Sequence, residues 1–138
     1  MAVTALVDTG FLVALLNRRD AHHGWAVSEA PRHPRPWHTC EAVLSEAFHI
    51  LGKPGAVELG AFLRRQAVLI SFSLADNCFP VLALMRKYAD VPASLADACL
   101  VRMSELFPKH YVITTDQTDF RVYRRNRRES IPLICPPD

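Results

Sequence analysis

The chain has no uninterrupted apolar run of ~20 residues, the length a membrane-spanning helix needs, although half of its 138 residues are hydrophobic in type. No membrane partner is therefore expected. Residues 1–16 are largely apolar, but Asp8, Thr9 and Gly10 interrupt them and no basic region stands ahead of them. A signal peptide does not fit that pattern, and a cytoplasmic location is expected. There is no CxxC pair, no HExxH and no Cys/His cluster of zinc-finger spacing; the four cysteines, Cys40, Cys78, Cys99 and Cys135, are far apart and irregularly spaced. These spacings speak against a zinc site and for buried thiols packing as small hydrophobes in a reducing compartment. Charge of one sign is not in excess either. A net charge of +2 is too mild to mark a nucleic-acid binder by itself, so only local clustering can carry that reading. Repeats and low-complexity tracts are absent.

What is present is enough apolar material to bury a core in one domain spanning residues 1–138. The stretch VTALVDTG, residues 3–10, is a short apolar run that stops on a carboxylate. A run of this kind suits a strand covered on both faces, as in a parallel sheet between helices. Asp8 then stands at the carboxyl end of a central strand, the edge where open α/β sheets bind their ligands.

Helical spacing of Phe11, Leu12, Leu15 and Leu16 follows, with a polar stop at residues 17–20. A second short helix fits residues 20–30, and Pro31, Pro34 and Pro36 bar any helix before a strand around Trp37. Thr39 reads as the N-cap of a helix whose apolar stripe is Val43, Leu44, Ala47, Phe48, Ile50 and Leu51. Residues 52–55 punctuate its end. Residues 58–66 read as a helix, 68–72 as a strand, and 76–88 as a helix on the spacing of Phe79, Leu82, Ala83 and Met85. Residues 94–107 form the next helix, and YVITT, residues 111–115, is a strand running into Asp116. A basic closing helix with Arg121, Arg124, Arg125, Arg127 and Arg128 precedes a last edge strand over residues 131–134. This alternation calls for a three-layer α/β/α sandwich on a mostly parallel sheet.

Four acids occupy telling positions: Asp8 after the first strand, Glu46 in the helix after the second, Asp97 at the start of a late helix, and Asp116 after YVITT. The three aspartates also make sense as helix-terminal residues, Asp8 and Asp116 as N-caps and Asp97 in a capping box begun by Ser94. Glu46 lies mid-helix at the border of the apolar stripe, where a partly desolvated carboxylate needs a partner. Gathered into one pocket, such charges repel by about 4 kcal/mol per pair at ~4 Å and an effective dielectric near 20. They must then protonate or take up cations. An all-oxygen set favours Mg²⁺ or Mn²⁺ over zinc, and an ion held this way activates water and polarises phosphoryl oxygens, so phosphodiester hydrolysis suits it. The arginines between 121 and 128 read either as contacts to a nucleic-acid backbone, through Arg121, Arg124, Arg125 and Arg128, or as a solvated face.

The segments VDTGFLVALLN, TCEAVLSEAF, SLADACLV and TTDQTDF, in this order over nearly the whole chain, resemble the PIN domain, in particular the toxin ribonucleases of the VapC type. The resemblance implies a five-stranded parallel sheet, a Mg²⁺- or Mn²⁺-dependent endoribonuclease acting on RNA, a homodimer, and a cognate antitoxin protein. By position it makes Asp8 and Asp97 the principal metal ligands, Glu46 the third acid and Asp116 the fourth. Asp119 is the alternate to Asp116, and Thr9 and Thr115 orient ligands or water through hydrogen bonds. Two other classes fit an α/β chain of this size: a catalytically silent PIN-like binding module, and a phosphate-accepting receiver-like or haloacid-dehalogenase-like domain. The dehalogenase pattern needs a second Asp where Gly10 stands, and a receiver needs one where Ser73 and Leu74 stand.

Overall fold

The structure, a computed structural model, describes residues 3–91 and 93–137. Among the described residues five strands form one sheet in the order β3-β2-β1-β4-β7, every neighbouring pair parallel. The strands are β1 (Ala5–Val7), β2 (Trp37–Thr39), β3 (Val68–Ile70), β4 (Tyr111–Ile113) and β7 (Leu133–Ile134). The helices of the described residues are α1 (Thr9–Leu16), α2 (His23–Glu29), α3 (Glu41–Arg64), α4 (Cys78–Lys87), α5 (Leu95–Leu106) and α6 (Gln117–Val122), with a 3-10 turn at Ala30–Arg32. With β1 central and β2 beside it, the order differs from the 2-1-3-4-5 arrangement of receiver domains.

The three residues of β1 are all buried, as the unbroken apolar run requires. Side chains alternate across the sheet. On one face Trp37 meets Phe11 of α1 edge-on at 5.4 Å and Phe62 of α3 at 6.4 Å between ring centres. On the other, His38 stacks against Phe107 at the end of α5. Helices thus cover both faces, and the three-layer architecture expected from the element order is present.

Several local expectations give way. Thr39 does not cap α3: it is the fully buried end of β2, and its hydroxyl donates to the Val7 carbonyl at 2.9 Å, while Cys40 is the N-cap residue. The helix expected over residues 58–66 begins earlier. α3 breaks only at Gly52, whose φ of 67° is accessible to glycine, and resumes at once. Pro54 then falls in the first turn of the resumed piece, where its missing N–H costs nothing. Ile50 is exposed, at the edge of the stripe rather than in it. On α4 the packing face is Val81, Leu84 and Met85, whereas Phe79 and Leu82 face solvent at 85% and 53% exposure. Two apolar stripes at helical spacing compete there, and the one over α5 is buried.

The largest correction concerns the basic closing segment. α6 ends at Val122, and Arg124 and Arg125 belong to a two-stranded antiparallel hairpin of β5 (Arg124–Arg125) and β6 (Glu129–Ser130). Tyr123 adopts extended backbone, and Asn126 and Arg127 take positive φ at the turn. The sequence signal for this turn is one asparagine, a residue that tolerates the left-handed region. Arg125 is 4% exposed, donating to the Ser104 carbonyl and to Glu129 at 2.9 Å each. The guanidinium of Arg124 donates to the carbonyls of Arg121, Val122 and Tyr123 at the end of α6. Both are therefore occupied inside the protein, while Arg121 and Arg128 are exposed. Arg125→Ala removes a charged donor from a buried carbonyl and is expected to cost about 2 kcal/mol. Thermal or denaturant melting checks this. A variant as stable as the parent would return Arg125 to the surface.

Candidate active site

Every acid singled out in the sequence except Glu46 lies at the C-terminal edge of the sheet or the helix start beside it. Asp8 follows β1 and is the N-cap of α1. Asp116 follows β4, the strand next to β1, and caps α6. Asp97 is in the first turn of α5, whose Ser94 cap accepts its N–H at 3.1 Å. The capping roles and convergence therefore coexist. One oxygen each of Asp97, Asp116 and Asp119 lies within 4.8 Å of the others. Asp116 and Asp119 are not alternatives in this geometry, since the Asp119 N–H donates to Asp116 Oδ1 at 3.3 Å.

Asp8 is 5% exposed, and both of its oxygens are engaged. The Thr9 N–H donates to Oδ1 at 2.7 Å and the Thr114 hydroxyl to Oδ2 at 2.6 Å. Thr114 also accepts the Asp116 N–H at 2.9 Å, so one buried hydroxyl ties the two strand-end aspartates together. The resemblance gave Thr9 and Thr115 the orienting of ligands or water; the Thr115 hydroxyl sits where a Cβ on Gly10 would come, 2.2 Å away. Gly10 thus lets α1 start close against the loop after β4. Thr9 donates in turn to Glu46 Oε2 at 3.2 Å. Glu46 itself is exposed, contrary to the expected partial desolvation, and joins the group from its rim.

Tyr123 was missed in the sequence. Its ring is fully buried between Tyr88 and Phe120, and its hydroxyl donates to Asp97 Oδ2 at 2.9 Å. Burial, together with the Asp97 charge, pushes the Tyr123 hydroxyl well above its ordinary pKa, so it remains a donor. Only the aromatic spacing of Phe120 and Tyr123 hinted at this in the sequence.

Burial raises the carboxyls of Asp8, Asp97 and Asp116, and neighbouring acids add to it. Asp8 reaches about 7, lifted by desolvation and by the charges of Asp97 and Asp116 against the opposing hydrogen bonds of Thr114 and Thr9. The folded chain therefore holds a proton that an unfolded aspartate, titrating near 3.8, releases. Below the unfolded value the two states bind it equally. Between the two values folding is progressively penalised as pH rises. At ~1.4 kcal/mol per unit the penalty at neutral pH is about 4 kcal/mol for Asp8. In EDTA, melting temperature is expected to fall as pH rises from 4 to 7, and Asp8→Asn to flatten that slope. A slope identical in parent and variant would contradict the assignment.

No protein-family model and no curated protein sequence matches the chain. Among solved structures, the chain is similar to VapC20 of Mycobacterium tuberculosis, described as a sarcin-ricin loop cleaving toxin. The TM-score is 0.75 at 24% identity, covering 83% of this chain and 92% of that one. The likeness read from the four acidic segments is thus matched by the backbone, and the chain has the PIN-like α/β fold of the VapC toxins.

Proposed function

We propose that the protein is a Mg²⁺- or Mn²⁺-dependent endoribonuclease hydrolysing RNA phosphodiester bonds, the toxin of a toxin-antitoxin pair that acts as a homodimer. The observation that carries this reading is the carboxylate trio of Asp97, Asp116 and Asp119 beside buried Asp8. Fully ionised, three oxygens within 4.8 Å repel by at least about 3 kcal/mol per pair at an effective dielectric of 20. The donor set is oxygen-only, which fits a hard divalent ion. When bound, such an ion supplies activated water and polarises the scissile phosphate.

The chain's own residues do the rest. Asp97, Asp116 and Asp119 would hold the ion, and Asp8, which the resemblance makes a principal ligand beside Asp97, has both oxygens engaged by Thr9 and Thr114. Tyr123 engages Oδ2 of Asp97 and so fixes the carboxylate's rotation. Thr114 keeps Asp8 and the backbone of Asp116 in register. Thr9 links Asp8 to Glu46, the acid at the rim. Exposed Arg121 and Arg128 supply phosphate contacts, without Arg124 and Arg125. The exposed Phe79 and Leu82 of α4 support pairing with another protein surface, and no helix of the described residues is long and apolar enough to cross a membrane.

Asp97→Asn is expected to reduce Mn²⁺-dependent RNA cleavage by more than the roughly 10–100-fold that loss of an outer partner brings. Its circular dichroism should match the parent. Cleavage that persists in this variant and in excess EDTA would refute the mechanism. Tyr123→Phe keeps the packed ring and removes one donor. Calorimetry should then show Mn²⁺ affinity reduced by about tenfold, and unchanged affinity would deny Tyr123 its positioning role.

A further inference from the structure

Four arginines stand at the edge of the sheet opposite the acids. Arg32 and Arg35 precede β2, and Arg64 and Arg65 close α3 shortly before β3. β2 and β3 run parallel with Trp37 beside Val68, so the two segments reach the N-terminal edge of the sheet side by side. His33 fixes the first of them there through the Tyr111 hydroxyl, at 2.6 Å. All four arginines are exposed. Residues 30–40 and 59–75 contain no acid, and among the described residues none of the four forms an ion pair. Glu29, the acid nearest to Arg32 in sequence, is engaged by His33 at 2.9 Å.

Two of the arginines are held in place. The Arg35 guanidinium lies over Trp37 at 4.9 Å and over Phe62 at 5.2 Å, and that of Arg65 lies over the same Phe62 ring at 4.5 Å, each measured to the ring centre. Both rings are buried and meet edge-on. Sharing one ring sets two like charges close together, an arrangement that an anion relieves. The C-terminal dipole of α3 favours cations at Arg64 and Arg65, but Arg35 comes from a loop and has no helix end to serve.

Stacked arginines have lost part of their rotamer freedom before any ligand arrives, which lowers the cost of binding one. Their guanidinium forks suit phosphate, which they engage through paired N–H donors. Trp37 and Phe62 lie beneath them, so neither ring is left to stack a base, and the patch offers contacts to a backbone only.

We propose that Arg35 and Arg65, with Arg32 and Arg64, bind the phosphate backbone of RNA, a contact that serves every base sequence equally. Strands β1 to β4 are three residues long, about 10 Å at ~3.3 Å per residue. One RNA can therefore reach from this edge to the acidic one, its backbone held by the arginines while another part of it meets Asp97 and Asp116. The choice of RNA and that placement rest on the nuclease reading.

The test measures binding by fluorescence anisotropy in EDTA, where metal-dependent cleavage does not intervene, with labelled RNA hairpins of two unrelated sequences. Arg35→Gln with Arg65→Gln should weaken binding by about tenfold or more at low salt, equally for both hairpins, and reduce the slope of log affinity against log salt by about 1.5. Arg35→Lys with Arg65→Lys keeps both charges and should keep the slope. Arg32→Gln with Arg64→Gln touches neither ring and carries the same expectation as the first variant, so it stands in should loss of stacking unfold that one. Arg86→Gln with Lys87→Gln removes two exposed cations from α4, in the other helical layer, and should leave affinity and slope close to the parent's. Affinity and slope unchanged in both glutamine variants of the patch would overturn the proposal. So would an equal loss in the α4 variant, or patch-dependent binding of phosphatidylserine vesicles with none of RNA. Patch-dependent RNA binding by a protein that cleaves nothing in Mn²⁺ supports the contact and counts only against the nuclease reading.

Discussion

A carboxylate buried at the end of the central strand is the constraint around which this structure is arranged. Asp8 is shielded from water, and what it receives in exchange is one amide and one hydroxyl. Those two neutral donors do not offset the loss of hydration, because its pKa is still driven up to about 7. Asp97 and Asp116 are raised in the same direction and partly by one another. What acts on these groups is burial, hydroxyls, amides and like charge. A fold optimised for stability alone would place an asparagine or serine at such caps and lose nothing in geometry. Keeping acids there stores unfavourable electrostatic free energy at one place, the usual mark of a functional site.

The parallel sheet is what makes this concentration possible from residues so far apart in the chain. β1 and β4 are hydrogen-bonded neighbours in register from Ala5 and Tyr111 to Val7 and Ile113. The residues just past their ends therefore emerge side by side, and Thr114 bridges them directly. Each strand hands over to a helix whose N-terminal amides face the same edge, which makes acids there acceptable as caps. α5 brings its own first turn to that edge, and Tyr123, locked by Tyr88 and Phe120, reaches back to orient Asp97.

This division explains what could be read from the sequence. The layered architecture and the approximate place of β1, α1, β2, α5 and β4 followed from apolar runs and caps, because burial on two faces leaves an unbroken hydrophobic stretch. The acids were visible for the same reason, standing where such stretches stop. Hydroxyl partners were less legible. Thr114 and Thr115 are identical in type and adjacent, and which one faces Asp8 depends on how the chain leaves β4. Tyr123 looked like one more core aromatic. On α4 two apolar stripes were equally periodic, and only the packing against α5 distinguishes buried Val81 from exposed Phe79.

The arginines between 121 and 128 show the limit most sharply. In sequence they form a run of charge, and a helix would have spread them along one solvated side. The extended backbone at Tyr123 and the positive φ at Asn126 and Arg127 turn the segment back on itself instead. Arg125 is thereby directed inward to Ser104, and Arg124 is spent on the carbonyls at the end of α6. That use of two cations has an electrostatic consequence for the acids nearby. A guanidinium reaching Asp97 or Asp119 would pair with the carboxylates and offset their mutual repulsion. By fixing these two on backbone carbonyls and on Glu129, the hairpin keeps their charge committed to the hairpin and to the ends of α5 and α6.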